Sequence, residues 1–230
     1  MSYQKPMNML AKTVARDRML KSQILTGHVL DPRILAALAE VDREDFVPSG
    51  FRGAAYVDEE IPLGNGRVLM EPLDFARLLQ HAALKEDETV LDVGCASGYS
   101  AMILSRLVRK VVAIEEDVKL AESSVRLLAS CPNVTFRQAP LVGGTSKTAP
   151  YDAILIEGAI EYLPQALADQ LKEGGRILTG EHDAAAKVGA AGLSTLIEYR
   201  KVRGILYKTL LRDANMALLP PFRKPAVFAL

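Results

Sequence analysis

Val90-Leu-Asp-Val-Gly-Cys-Ala-Ser-Gly-Tyr99 is the stretch on which the reading of this 230-residue chain turns. Thr89 to Val93 is an apolar run of strand length. It breaks into the turn Asp92-x-Gly94-x-Ala96-x-Gly98, and Tyr99 to Leu107 resumes at helical spacing. Glycine suits such a turn because the backbone must fold tightly and approach a ligand, and the following helix offers unpaired N–H groups. About twenty residues on, the strand Lys110 to Ile114 ends in Glu115-Glu116-Asp117, where a carboxylate can accept both hydroxyls of a ribose. Strand, turn, helix, strand and acid in that order predict a nucleoside pocket. Two ligand classes fit it, a dinucleotide or S-adenosylmethionine. A dinucleotide fingerprint has its last glycine three positions after the second. Here Gly94 and Gly98 are four apart with Ala96 between them, and Asp92 suits a cationic methionine group better than a pyrophosphate.

Downstream, strand and helix keep alternating. Val118 to Leu128 is predicted helical, Val134 to Arg137 a strand, Tyr151 to Ile156 a strand, Pro164 to Leu171 a helix and Gly175 to Thr179 a strand. Such alternation implies a mostly parallel sheet covered on both faces. Strand-like runs follow at Leu193 to Tyr199 and Gly204 to Leu211, then an apolar end at Val227-Phe228. Upstream, Leu73 to Leu84 is predicted helical. Met9 to Leu25 has helical spacing, with Met9 and Met19 fitting either a partner surface or core positions. Asp31-Pro32 starts a second helix that stops before Pro48. Residues 49–72 read as an irregular covering segment, a candidate lid. The expected organisation is one α/β domain, 1–230: a cap and covering segment at 1–72, a cofactor-binding core at 73–180 and C-terminal strands at 181–230.

Lys plus Arg and Asp plus Glu each number 28, a balance that argues against gripping nucleic acid or an anionic membrane through bulk charge. The two cysteines, Cys95 and Cys131, are too few for a disulfide framework. No apolar run reaches the length of a membrane span, and the expectation is a soluble, cytoplasmic protein. His28, His81 and His182 have no partner at catalytic or metal spacing, so no metal is expected. Cys95 reads as a buried small residue, and Arg200-Lys201-x-Arg203 as a solvated face.

The chain resembles the class I S-adenosylmethionine-dependent methyltransferases and, more narrowly, the protein-L-isoaspartate O-methyltransferase family. Besides Val90 to Tyr99, the resemblance is carried by Gly27 to Leu35, Val41-Asp-Arg-Glu-Asp-Phe-Val-Pro48, Ala55-Tyr-Val-Asp58, Ile61-Pro-Leu-Gly64, Asn133-Val134, Tyr151-Asp-Ala-Ile-Leu155 and Gln170 to Ile177. It implies a Rossmann-like, seven-stranded sheet with one antiparallel strand near the edge. It also implies S-adenosylmethionine as cofactor, and methyl transfer to isoaspartyl carboxylates of damaged proteins, a protein-repair reaction. Asp92, Gly94, Ala96, Gly98, Glu115 and Pro140 fall at the family's cofactor positions. Tyr56, Asp58, Met70 and Glu71 fall around the acceptor.

Three positions depart from the family pattern. Its Thr-Ile-Ser-Gln-Pro-like segment is Val68-Leu-Met-Glu-Pro72 here, so Met70 replaces a hydroxyl and Glu71 an amide. A thioether donates no hydrogen bond. An ionised Glu71 would repel an incoming carboxylate by about 4 kcal/mol at ~4 Å and an effective dielectric near 20. The family's Gly-Asp-Gly turn near the adenine is Ala139-Pro-Leu141, and Ala96 replaces the middle glycine of the cofactor turn. These departures leave two alternatives beside the repair enzyme: a member that has lost catalysis and serves binding or assembly, and a methyltransferase with a changed acceptor. Oligomeric state is not legible in the sequence.

Overall fold

A computed structural model describes residues 13–182 and 193–224. Met9, Val227 and Phe228 lie outside these residues. The N-terminal helix α1 (residues 13–19) passes into a π-helical turn at Leu20–Ile24, and Met19 and Ile24 are buried. Helix α2 (Pro32–Glu40) starts as its sequence predicts: the Asp31 side chain accepts from Arg33 N at 2.8 Å and Pro32 occupies the first turn. It ends sooner than expected. Arg43–Phe46 form a separate 3-10 turn, because the fully buried Arg43 side chain reaches inward to Ala55 O at 2.7 Å and to Met70 O. These tertiary bonds override local helix propensity.

The covering segment is more ordered than expected. Ser49–Ala54 is a 3-10 turn, and β1 (Ile61–Gly64) pairs antiparallel with β2 (Arg67–Leu69). Asn65 and Gly66 form the loop between them, both at positive φ (50° and 72°). Asn-Gly is the dipeptide favoured in a two-residue hairpin turn.

Helix α3 (Pro72–Ala82) precedes the alternating core of β3 (Thr89–Val93), α4 (Tyr99–Leu104), β4 (Lys110–Glu115), α5 (Val118–Leu127), β5 (Val134–Gln138), β6 (Tyr151–Ile160), α6 (Gln165–Asp169) and β7 (Leu171–His182). Two long strands close the sheet, β8 (Leu193–Val202) and β9 (Ile205–Asn215). The order across it is β5-β4-β3-β6-β7-β8-β9. Pairing is parallel from β5 through β7, while β8 is antiparallel to both neighbours. This is the expected seven-stranded sheet with one antiparallel strand next to the edge.

Side-chain alternation explains the double covering. Val90, Val111, Ala113, Ala153 and Leu155 pack into a core with α1 to α4. Leu91, Val93, Val112, Ile114, Ile154 and Ile156 pack into a second core with Leu141, Leu167 and Phe222. Both faces of β3, β4 and β6 are therefore apolar, as in parallel sheets generally. At the amino end of the sheet Arg176 holds Glu88 in a two-pronged ion pair (2.9 and 2.8 Å) and donates to the carbonyls of Ala82 and Ala83, tying α3 to β3 and β7. At the carboxyl end the chain leaves β3 for β4 on one side and enters β6 on the other. The crevice at that switch is where open α/β sheets bind ligands.

Candidate functional site

The Gly-rich turn closes over the end of β4. Gly94 N and Cys95 N both donate to Ile114 O, at 2.9 and 3.1 Å. Gly94 has φ 80°, and a Cβ there would stand 3.0 Å from Arg67 Nη2, so the position needs glycine for both conformation and room. Ala96, where the family has glycine, is held at φ 50°, a left-handed conformation costly for an L-residue. It is fixed by two bonds: its N–H donates to Glu115 Oε2 at 2.8 Å, and its carbonyl accepts from Ser124 Oγ at 2.7 Å. Gly98 (φ 98°) opens α4.

Glu115 is fully buried and densely bonded. Besides Ala96 N on Oε2, its Oε1 accepts from Glu116 N (2.9 Å), Asp117 N (3.0 Å) and Arg67 Nη1 (2.6 Å). Asp92, also fully buried, accepts from Ser100 Oγ at 2.7 Å through Oδ2, while its Oδ1 has no partner among the described residues. Burial pushes the Asp92 carboxyl up, the Ser100 bond opposes this, and the Glu115 charge adds to the rise. Next to the turn, Glu157 follows the paired Val93 and Ile156 into an irregular stretch of β6, and its Oε1 is also without a partner among the described residues. Burial and the Asp92 charge raise Glu157 well above the usual carboxylate range. Glu157 was missed from sequence, although an acid directly after an apolar strand at the switch point is a usable signal.

Glu157, Ser100 and the turn residues Gly94 and Ala96 line a cavity of about 10 Å³ together with Arg43, Met70, Phe75 and Tyr99. Phe46 and Phe75 pack on the Tyr99 ring (centroids 5.4 and 5.5 Å), and the Arg43 guanidinium carbon lies 5.0 Å from its centre. Outside Arg67 lies a groove of about 310 Å³ lined by Asn65, Arg67, Glu116, Asp117, Pro220 and Pro221. Two buried carboxyl oxygens left without donors suit a ligand that brings positive charge or N–H groups. The donor set therefore fits the cationic methionine end of S-adenosylmethionine.

The expected acceptor positions scatter in role. Met70 is buried and lines the cavity. Tyr56 is buried with its hydroxyl unpartnered, and burial raises its pKa. Asp58 Oδ1 accepts from Leu73 N at 3.0 Å, bonding the first turn of α3. Glu71 precedes α3 and accepts from Asn215 Nδ2 at 3.1 Å. Its carboxyl is pushed up to about 7, mainly by burial, with Asp74 and Asp58 adding to the rise against the Asn215 bond. Pro140 is exposed and precedes the turn Leu141–Gly143, while Leu141 is buried beside Gly94.

Cys95 is buried and its thiol is raised well above its usual pKa by burial. No group of three or more metal-ligating side chains occurs among the described residues. In the basic cluster, Arg200 Nε pairs with Glu198 at 2.6 Å and Lys201 Nζ donates to Leu171 O at 2.9 Å. No helix among the described residues is long and apolar enough to cross a membrane.

The sequence profile described as "Protein-L-isoaspartate(D-aspartate) O-methyltransferase" matches residues 14–188. The chain belongs to that family. A protein-L-isoaspartate O-methyltransferase of Synechococcus sp. (strain JA-2-3B'a(2-13)) is 36% identical over 184 residues, covering 79% of this chain and 75% of its own. The corresponding Methylorubrum populi protein is 36% identical over 184 residues, covering 80% and 84%. Among solved structures, a protein-L-isoaspartate O-methyltransferase superposes with TM-score 0.76 at 21% identity, over 89% of this chain and 65% of that longer one. A Plasmodium falciparum structure, named as a candidate enzyme of the same kind in complex with S-adenosyl-L-homocysteine, gives TM-score 0.73 at 18% identity, over 91% and 98%. These two likenesses establish the shared methyltransferase fold.

Proposed function

We propose that this chain is an S-adenosylmethionine-dependent protein-L-isoaspartate O-methyltransferase acting in the cytoplasm on isoaspartyl residues of damaged proteins. The family match over residues 14–188 carries the reading. Asp92, Gly94, Gly98 and Glu115 at the sheet's switch point support it, as do the unpartnered oxygens of Asp92 and Glu157.

In this reading Asp92 and Glu157 hold the cationic methionine end, Glu115 the ribose, and the 139–141 turn borders the adenine. When bound, the cofactor supplies an electrophilic methyl group on a sulfonium. The acceptor carboxylate is its own nucleophile, so the protein needs no strong general base. Its contribution is to align the acceptor and exclude water. Phe75, Tyr99 and Met70 form the apolar part of the wall, with Phe46 packed on the Tyr99 ring. Tyr56 and Glu71 border the acceptor, and Asp58 acts through α3 by bonding its first turn. With a thioether at position 70, the side-chain donors at this edge include the Tyr56 hydroxyl and the Arg43 guanidinium, which lines the cavity with Met70. Glu71, with its raised affinity for a proton, is neutral in slightly acidic solution and then no longer repels a carboxylate.

The test is transfer of labelled methyl from S-adenosylmethionine to an isoaspartyl peptide, with the aspartyl peptide of the same sequence as control. Base-labile label on the isoaspartyl peptide alone is expected. Label on neither peptide, from protein that binds the cofactor, would refute the assigned acceptor.

A further inference from the structure

The carboxylate that should receive the cofactor's ribose is already taken by a residue of the same chain. Arg67 reaches Glu115 with Nη1 at 2.6 Å and Gly94 O with Nη2 at 2.9 Å, and its side chain is 4% exposed. A carboxylate offers about four acceptor positions. On Glu115, Arg67, Glu116 N and Asp117 N crowd Oε1 and Ala96 N takes one position on Oε2, leaving a single position where two incoming hydroxyls need two. Arg67 lines the outer groove of about 310 Å³ and bonds Gly94, a wall residue of the inner cavity of about 10 Å³, room for one water. Pockets that bury whole ligands typically run to ~300–1,000 Å³ in one piece.

We propose that Arg67 is an internal occupant of the nucleoside position, and that the cofactor enters by displacing it. The inference rests on the reading that Glu115 receives the ribose. Arg67 and the ribose hydroxyls claim the same carboxylate, so their occupancies are mutually exclusive. The arginine is borne on the β1–β2 ribbon, which pairs with no strand of the main sheet among the described residues. The ribbon tip is held by Asn65 Nδ2 donating to Asp117 Oδ2 at 2.7 Å and by the approach of Pro220 to Gly66. A released guanidinium meets Glu116 and Asp117, which line the outer groove, so its charge need not lose all partners. Opening the ribbon would also join the two spaces into one pocket reaching from Asp117 to Tyr99. Arg67 thereby sets both the affinity and the entry rate of the cofactor.

Calorimetric titration with S-adenosylhomocysteine tests this on the full chain and on its Arg67→Gln and Arg67→Ala variants, with folding checked by circular dichroism. Since a hydrogen bond to a charged group no longer has to be broken, both variants should bind about ten-fold or more tightly than wild type. Equal or weaker binding by folded variants, with measurable binding by wild type, would overturn the displacement while leaving the cofactor assignment standing. Absence of binding to all three folded proteins at millimolar ligand would overturn the cofactor assignment and this inference with it. Hydrogen exchange on wild type gives a readout that needs no variant. Amides of residues 61–69 should exchange faster when ligand is added, and slower exchange there would contradict the displacement.

Discussion

The Arg67–Glu115 pair makes a stability prediction that can be worked through. Its side chains are 4% and 0% exposed and its charged atoms are 2.6 Å apart. At an effective dielectric near 20 the attraction is about 6 kcal/mol, offset by the cost of withdrawing both charges from water. Removing one member leaves the other buried and unpaired, for which about 3–5 kcal/mol is typical. Glu115→Gln should fall in that range, because Arg67 then keeps only Gly94 O. Arg67→Gln should cost less, about 2–3 kcal/mol, because three backbone N–H groups still solvate the Glu115 carboxylate. The double variant should lose less than the sum, giving a coupling of at least ~2 kcal/mol. Urea unfolding followed by far-ultraviolet circular dichroism measures this, a suitable probe because the chain has no tryptophan. Repeating the cycle near 0.05 and 1 M salt should change the coupling little, since buried pairs are poorly screened. A coupling below about 0.5 kcal/mol, or one that disappears in high salt, would show that the pair is not closed in solution.

Other parts of the molecule make separate predictions. Ala96→Gly relieves a left-handed alanine worth about 1–2 kcal/mol, but adds unfolded-state freedom and removes a buried methyl, each about 0.5–1 kcal/mol. The unfolding free energy should therefore stay within about 1 kcal/mol of wild type while S-adenosylhomocysteine binds more tightly; a loss above ~2 kcal/mol in urea unfolding would contradict this balance. The Glu71 carboxyl, raised to about 7, is mostly neutral below that pH and charged above it. The sign follows: KM for an anionic isoaspartyl peptide should rise as pH climbs from 6 to 8, and Glu71→Gln should flatten the rise; an unchanged profile in the variant would assign it to another group. Arg176→Met should lower the unfolding free energy by about 3–5 kcal/mol by orphaning Glu88, and a midpoint shift of ~2–4 °C per kcal/mol makes it visible in a thermal melt. Adding Glu88→Leu should restore part of the loss, and no restoration would deny their coupling.

Local pattern is what one chain segment can report about itself. The apolar runs at Thr89–Val93, Lys110–Glu115 and Tyr151–Ile160 gave the parallel core, because a strand buried on both faces must be apolar at successive positions. The Asp31-Pro32 helix start and the Asp92 to Gly98 turn were legible for the same reason: cap and turn chemistry are settled within a few residues. The Asn65-Gly66 hairpin was equally local and was passed over within a segment read as irregular. The family, and with it a seven-stranded sheet with one antiparallel strand near the edge, was also determined by sequence. Tertiary structure alone decided what the site residues touch. Arg67 and Glu115 lie 48 positions apart, and nothing in a lone arginine after Asn-Gly announces a buried partner. Asp58 bonds α3, and Glu71 owes its raised affinity for a proton to burial and to Asp74, against a contact with Asn215 at 144 positions' remove. A motif fixes which groups stand at the ends of the strands, since that depends on neighbours in the chain. Whether such a group is free or occupied, charged or neutral, depends on neighbours in space, and those exist only once the ribbon, sheet and tail have packed together.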